Sequence, residues 1–91
     1  MLPISASTVT LLISASNTDR VLMITSDSTT VTRISYEKVG LEVGNTGFGI
    51  TVYTNLNVFV PNGKQVWAYT SGTPNIGIIF NIQNATNVVR L

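Results

Sequence analysis

The chain contains neither cysteine nor histidine. Without cysteine there is no disulfide framework and no thiolate nucleophile or metal ligand. Without histidine the commonest general base and metal ligand is missing, and none of the many serines has an imidazole to activate it. Charge is equally scarce, at 10% of residues against about 25% in ordinary soluble domains. The five cations, Arg20, Arg33, Lys38, Lys64 and Arg90, are scattered, and the net charge is +1. No basic patch for nucleic acid is therefore expected. No apolar run approaches the roughly 20 residues of a membrane-spanning helix, so no membrane partner is expected either. The opening stretch MLPISASTVTLLISAS lacks a basic leading region, and Ser and Thr interrupt its apolar positions. It is not read as a signal peptide, and synthesis in the cytoplasm is the expectation. A 91-residue chain is one domain, and a free monomer with so few charges is poorly protected from association. Such a protein is expected to live in an assembly.

What the chain does have is strand and turn material. Ser, Thr and Asn total 30 residues, and Val, Ile and Thr total 33. Excess of β-branched and turn-forming residues argues for strands and against helices. No segment holds a period of 3.6, so essentially no helix is expected. Strands are read at Thr8 to Ala15, Arg20 to Thr25, Thr29 to Glu37 and Phe48 to Thr54. Further strands are read at Leu56 to Val60, Lys64 to Thr70, Ile76 to Ile82 and, at the end, Asn87 to Leu91. Residues 1–7 are set apart as an extended arm that Leu2 and Ile4 can tie to a neighbour, and 8–91 form the domain. Within Lys38 to Gly49, Leu41 and Val43 suggest a short strand among four glycines. The glycines read as plain turns, because no GK[ST] follows for a phosphate loop. The spacing predicts an all-β sandwich or jelly roll of about eight antiparallel strands.

The stretch Leu56 to Ile82 organises this reading. Its three strands are separated by Pro61-Asn62-Gly63 and Ser71-Gly72-Thr73-Pro74-Asn75, which predicts a β-meander. The strand Lys64 to Thr70 is apolar on both faces, with Val66 and Ala68 on one and Trp67 and Tyr69 on the other. A central strand covered on both sides within the monomer is one account. The other places one face against a second subunit, and a chain of this size buries only about 60–65% of its unfolded surface, which favours it. Trp67 and Tyr69, with Phe59, are the expected subunit-interface residues, while Val66 and Ala68 close the core with Ile76 to Ile82.

Several chemistries are weighed and set aside. Asp19, Asp27, Glu37 and Glu42 lie in or beside turns or at strand edges, where a solvated surface charge is the usual state, so no paired acid–base site is expected. No calcium loop is complete. No catalytic, metal-binding or cofactor-binding residue is assigned, and the protein is expected not to be an enzyme. Asn84-Ala85-Thr86 matches a glycosylation sequon, a weak three-residue match. Trp67, Tyr69, Tyr53, Phe59 and Phe48 can be read as a sugar-stacking platform, though core and subunit contacts are the plainer reading.

The run Val60-Pro61-Asn62-Gly63-Lys64-Gln65-Val66-Trp67-Ala68-Tyr69-Thr70-Ser71-Gly72 carries a resemblance. With the Thr/Val-rich opening strand, Arg20-Val21-Leu22-Met23-Ile24, the Gly-containing middle and the closing Ile strand, it resembles small β-structured virion proteins of tailed bacteriophages, over roughly residues 8 to 82. The resemblance implies a structural, non-enzymatic component of a virion, such as capsid decoration, a head fibre base or a tail-associated part. It also implies a homo-oligomer, often a trimer, bound to a major capsid protein or another virion protein. The alternative is a carbohydrate- or receptor-binding module of a fibre or tail, which requires exposed aromatics flanked by Asn or Asp.

Overall fold

A computed structural model describes residues 2–43, 47–82 and 85–91. It contains eight strands: β1 (Leu2–Pro3), β2 (Thr10–Ile13), β3 (Arg20–Ser26), β4 (Thr32–Ser35), β5 (Phe48–Ile50), β6 (Leu56–Val60), β7 (Val66–Thr70) and β8 (Asn75–Ile79). Among the described residues the helical content is a single 3-10 turn, Leu41–Val43, where a short strand is expected from sequence.

The strands form two four-stranded sheets, the first in the order β1-β8-β3-β6 and the second in the order β2-β7-β4-β5. Every pairing between these eight strands is antiparallel, and the pairs are nested: β4 with β5, β3 with β6, β2 with β7, β1 with β8. A chain folded double about the β4–β5 connection and wound into two facing sheets is a jelly roll. The fold class is thus the one expected.

Alternation supplies the core. Leu22 and Ile24 of β3, Ile34 of β4, Val58 and Val60 of β6, and Val66 and Ala68 of β7 are fully buried between the sheets. Each full burial of a Val, Leu or Ile contributes about 1.5–3 kcal/mol. Ile4 is only 3% exposed and joins the same cluster, and its N–H donates to the Pro74 carbonyl at 3.0 Å. The segment set apart in the sequence as an arm thus pairs with β8 at Leu2 and Pro3, bonds Thr70 of β7 through the Ser7 N–H at 2.8 Å, and lends Ile4 to the domain's own core.

The meander is corrected. β6 and β8 lie in the first sheet, on either side of β3, and β7 lies in the second. Both turns of the Leu56–Ile82 stretch cross between sheets. At the first, the Lys64 N–H bonds the Pro61 carbonyl at 3.1 Å, and Gly63 has φ +83° while Asn62 stays at negative φ. A tight hairpin of either primed type needs positive φ at the first central residue, here Asn62. The observed φ at Gly63 is that of a type II turn, which splays the strands it joins.

Two aspartates hold these crossings. Asp19, just before β3, accepts the Asn62 N–H at 2.8 Å. Asp27, just after β3, accepts the Asn75 N–H at 2.8 Å and the Asn75 amide at 2.9 Å. Each carboxylate joins a crossing at one end of β3 to a later crossing between the sheets.

Candidate assembly surface

The second sheet turns an aromatic and cationic face outward. Alternation sends Trp67 and Tyr69 of β7 away from the core, where both are half-buried. Register places Leu11 opposite Trp67 on one side and Ser35 opposite it on the other, with Arg33 opposite Tyr69. The Arg33 guanidinium carbon lies 5.1 Å from the Tyr69 ring centre, and the Lys38 ammonium lies 5.2 Å from the Trp67 ring. Cations at this range are attracted to the ring faces. Gly49 stands opposite Arg33, and a Cβ there would meet Val31 Cγ1 at 3.0 Å. A side chain at 49 would need the exposed Val31 methyl to give way by a few tenths of an ångström. One group is left without a partner: Arg33 Nη1 is buried and makes no hydrogen bond.

Phe59, grouped with Trp67 and Tyr69 from sequence, stands elsewhere. β6 is in the first sheet, so Phe59 projects from the opposite outer face of the sandwich. Its neighbour across the pairing is Val21, and Met23 stands next on the same face, paired with Ile79. The Arg90 guanidinium carbon is 4.3 Å from the Phe59 ring. Parity along a strand told which side of its own sheet Phe59 takes. It could not tell which sheet β6 joins. Arg33 and Lys38 were not singled out in the sequence. Their place beside the aromatics follows from the β4–β7 pairing, which joins segments far apart in the chain.

Both sheets therefore carry apolar residues on their outer faces, while each free edge is blunted in the manner that discourages edge-to-edge pairing. β1 has two residues and includes Pro3. β2 is bulged between Leu11 and Ile13. β5 has three residues. The edge of β6 is covered by the last segment of the chain, read in the sequence as a strand over Asn87 to Leu91. It forms one parallel bridge, Val58 to Val89. Val89 donates its N–H to the Asn57 carbonyl at 2.8 Å and accepts the Phe59 N–H at 2.9 Å. The Tyr36 hydroxyl donates to the Phe59 carbonyl.

The carboxylates do not converge. Asp19 and Asp27 are occupied at the crossings, and the Asn75 amide and backbone N–H hold the Asp27 carboxyl below its ordinary range. Glu37 and Glu42 are exposed. Among the described residues no group of three acidic, His or Cys side chains is placed to hold a metal ion. No helix of the described residues is long and apolar enough to cross a membrane. A shallow cleft of 260 Å³ between β4 and the chain's last residues is lined by Ile34, Ser35, Gly47, Phe48, Arg90 and Leu91. Its one charged residue, Arg90, is the group that lies over Phe59. Asn84 of the sequon lies outside the described residues.

No protein-family model, no curated protein and no solved structure matches the chain.

Proposed function

We propose that this chain is a non-enzymatic structural component of a bacteriophage virion, a capsid decoration subunit that assembles as a homo-oligomer, a trimer, on the particle. The observation that carries the assembly reading is the pairing of apolar outer faces with blunted edges. A β-sandwich normally alternates apolar-in and polar-out; here both faces of β7 and both faces of β3 are largely apolar. Association is thus favoured through faces and disfavoured through strand addition. Trp67 and Tyr69 are the anchors. Hot spots, whose truncation costs about 2 kcal/mol or more, are enriched in Trp and Tyr. The virion setting, the major capsid protein as the partner, and the number of subunits rest on the sequence resemblance, since jelly rolls serve many unrelated functions.

The test is sedimentation of wild type and Trp67→Ala at micromolar concentration, with circular dichroism to check folding. The expected result is an oligomeric wild type and a folded, dissociated variant. A well-folded wild-type monomer overturns the assembly reading. Electron microscopy of particles carrying a labelled subunit tests the setting, and absence of the label from purified particles overturns it.

A second reading, a carbohydrate- or receptor-binding module, is favoured by one observation. Tyr53 is 86% exposed, and Asn55 two residues on is exposed as well. Against it, Trp67, Tyr69 and Phe59 each have a cation over the ring, which a stacking sugar would have to displace. Binding to a glycan array that is lost in Tyr53→Ala would select this reading.

A further inference from the structure

The segment after β4 presents a tip of unusual composition. Val39 is 87% exposed and Val43 69%, and Glu42 between them is exposed too. The base of the tip is fixed. Leu41 is fully buried, the Lys38 ammonium lies over Trp67, and the Leu41–Val43 turn packs against β7. The tip is thus an apolar–acidic–apolar knob on a firm base, and its carboxylate bonds to no described residue.

The outer face of the second sheet has the converse character. Its floor is Trp67, Tyr69 and Leu11, its charges are Arg33 and Lys38, and none of its four strands carries an acidic residue. Arg33 is held over Tyr69 with Nη1 buried and unbonded. Nη1 is closed to solvent and so to an incoming group, but the guanidinium's other donors can form charge-assisted bonds to an arriving carboxylate, about twice as strong as neutral ones. Two of the chain's four carboxylates, Asp19 and Asp27, are already held inside the subunit. Of the other two, Glu42 is the one flanked by exposed valines.

We propose that the Val39–Val43 tip of one copy docks on the outer face of the second sheet of the next. The Glu42 carboxylate accepts from the Arg33 guanidinium, and Val39 and Val43 cover the apolar surface around Tyr69. This rests on the homo-oligomer reading above and names its contact. A tip meeting a face is a heterologous contact, which closes into a ring when the rotation allows. A trimeric ring is one such closure, whereas a face meeting its own copy would give a two-fold dimer.

The test is charge exchange, read by sedimentation across a concentration series. Glu42→Arg, at an exposed position that carries none of the core, is expected to weaken association at least tenfold while leaving the circular dichroism spectrum unchanged. Arg33→Glu is expected to do the same, and the double variant Arg33→Glu/Glu42→Arg to recover most of the loss. A wild-type oligomer that Glu42→Arg leaves intact overturns this contact and keeps the homo-oligomer. Failure of the double variant to recover also overturns it, and then another segment or another protein occupies the face. A monomeric wild type overturns both readings at once.

Discussion

Thr32 and Thr70 stand directly opposite each other on β4 and β7, both buried, and only one of the two hydroxyls has a partner. Thr70 Oγ1 donates to the Val31 carbonyl at 2.9 Å and accepts the Gly72 N–H at 3.1 Å. Thr32 Oγ1 is buried and bonds to nothing. A buried hydroxyl without a partner carries a desolvation penalty of about 1–3 kcal/mol. Valine has nearly the same shape, so Thr32→Val is expected to stabilise the protein by about 1 kcal/mol. Thr70→Val leaves the Gly72 N–H unpaired and is expected to destabilise by about 1–2 kcal/mol. Urea denaturation of the two variants measures the contrast, and a destabilised Thr32→Val would show that its hydroxyl is bonded after all.

Asp27 gives the fold a response to acid. Hydrogen bonds from Asn75 favour its ionised form, so its folded pKa is depressed. A depressed carboxylate contributes stability that is present above the unfolded value, about 3.9 for aspartate, and is lost as pH falls through the lower folded value. Wild type and Asp27→Ala are therefore expected to differ in thermal midpoint at pH 6 and to converge as the pH falls below 3.9 towards the folded value. A difference that persists undiminished at the acid end would assign the effect of Asp27 to something other than its charge.

Val89 is expected to act as a guard on the β6 edge. Proline at this position removes the N–H that bonds the Asn57 carbonyl, at a cost of about 1 kcal/mol, and uncovers a strand edge. Val89→Ala keeps the backbone bonds. Light scattering on heating should rise sharply for Val89→Pro and little for Val89→Ala. Equal scattering from the two variants would mean that packing, and not edge protection, is what the segment provides.

Phe59 and Trp67 are expected to separate in their effects, because they project from opposite faces of the sandwich. Trp67→Ala should dissociate the proposed oligomer, whereas Phe59→Ala should leave its size unchanged and release Arg90. If Phe59→Ala dissociates it and Trp67→Ala does not, the first sheet is the one that meets the neighbour.

The residue pattern made much of the architecture readable, and the physical reason is parity. The strands at Arg20, Leu56 and Lys64 are recognisable because inward and outward residues alternate, and Leu22, Ile24, Val58 and Val66 all face inward as the pattern requires. Pairing was less legible. Nothing in the letters Pro61-Asn62-Gly63 separates a hairpin from a crossing; the deciding facts are the negative φ of Asn62 and the Asp19 carboxylate, which is distant in sequence and is brought to the turn by the register of Arg20 with Val60. β1 was missed because two residues, one of them proline, carry no period. Leu41 and Val43 read as a strand by spacing, yet they lie in a 3-10 turn against β7, Leu41 fully buried and Val43 exposed. Of the surface residues named in advance, Trp67 and Tyr69 belong together and Phe59 does not, since strand order decides which sheet a side chain leaves.

The nesting of strand pairs also dictates an order of assembly for the chain itself. β4 and β5 meet across one connection, while β1 and β8 join Leu2 to Ile76 across nearly the whole sequence. Closing a longer loop loses more entropy, though only logarithmically with its length. Pairs formed inside shorten the effective loop for the pair outside, so the sandwich is expected to close from the β4–β5 connection outward. Folding dominated by such distant pairings is slow, in the range of about milliseconds to seconds for all-β domains. The last pair to form rests on two residues of β1, and it should be the first to open. Native-state hydrogen exchange is expected to find the Ile4 amide, bonded to the Pro74 carbonyl beside this pair, among the fastest of the hydrogen-bonded amides and Leu22 and Val58 among the slowest. Slow exchange at Ile4 would mean that the chain's beginning is locked in with the rest.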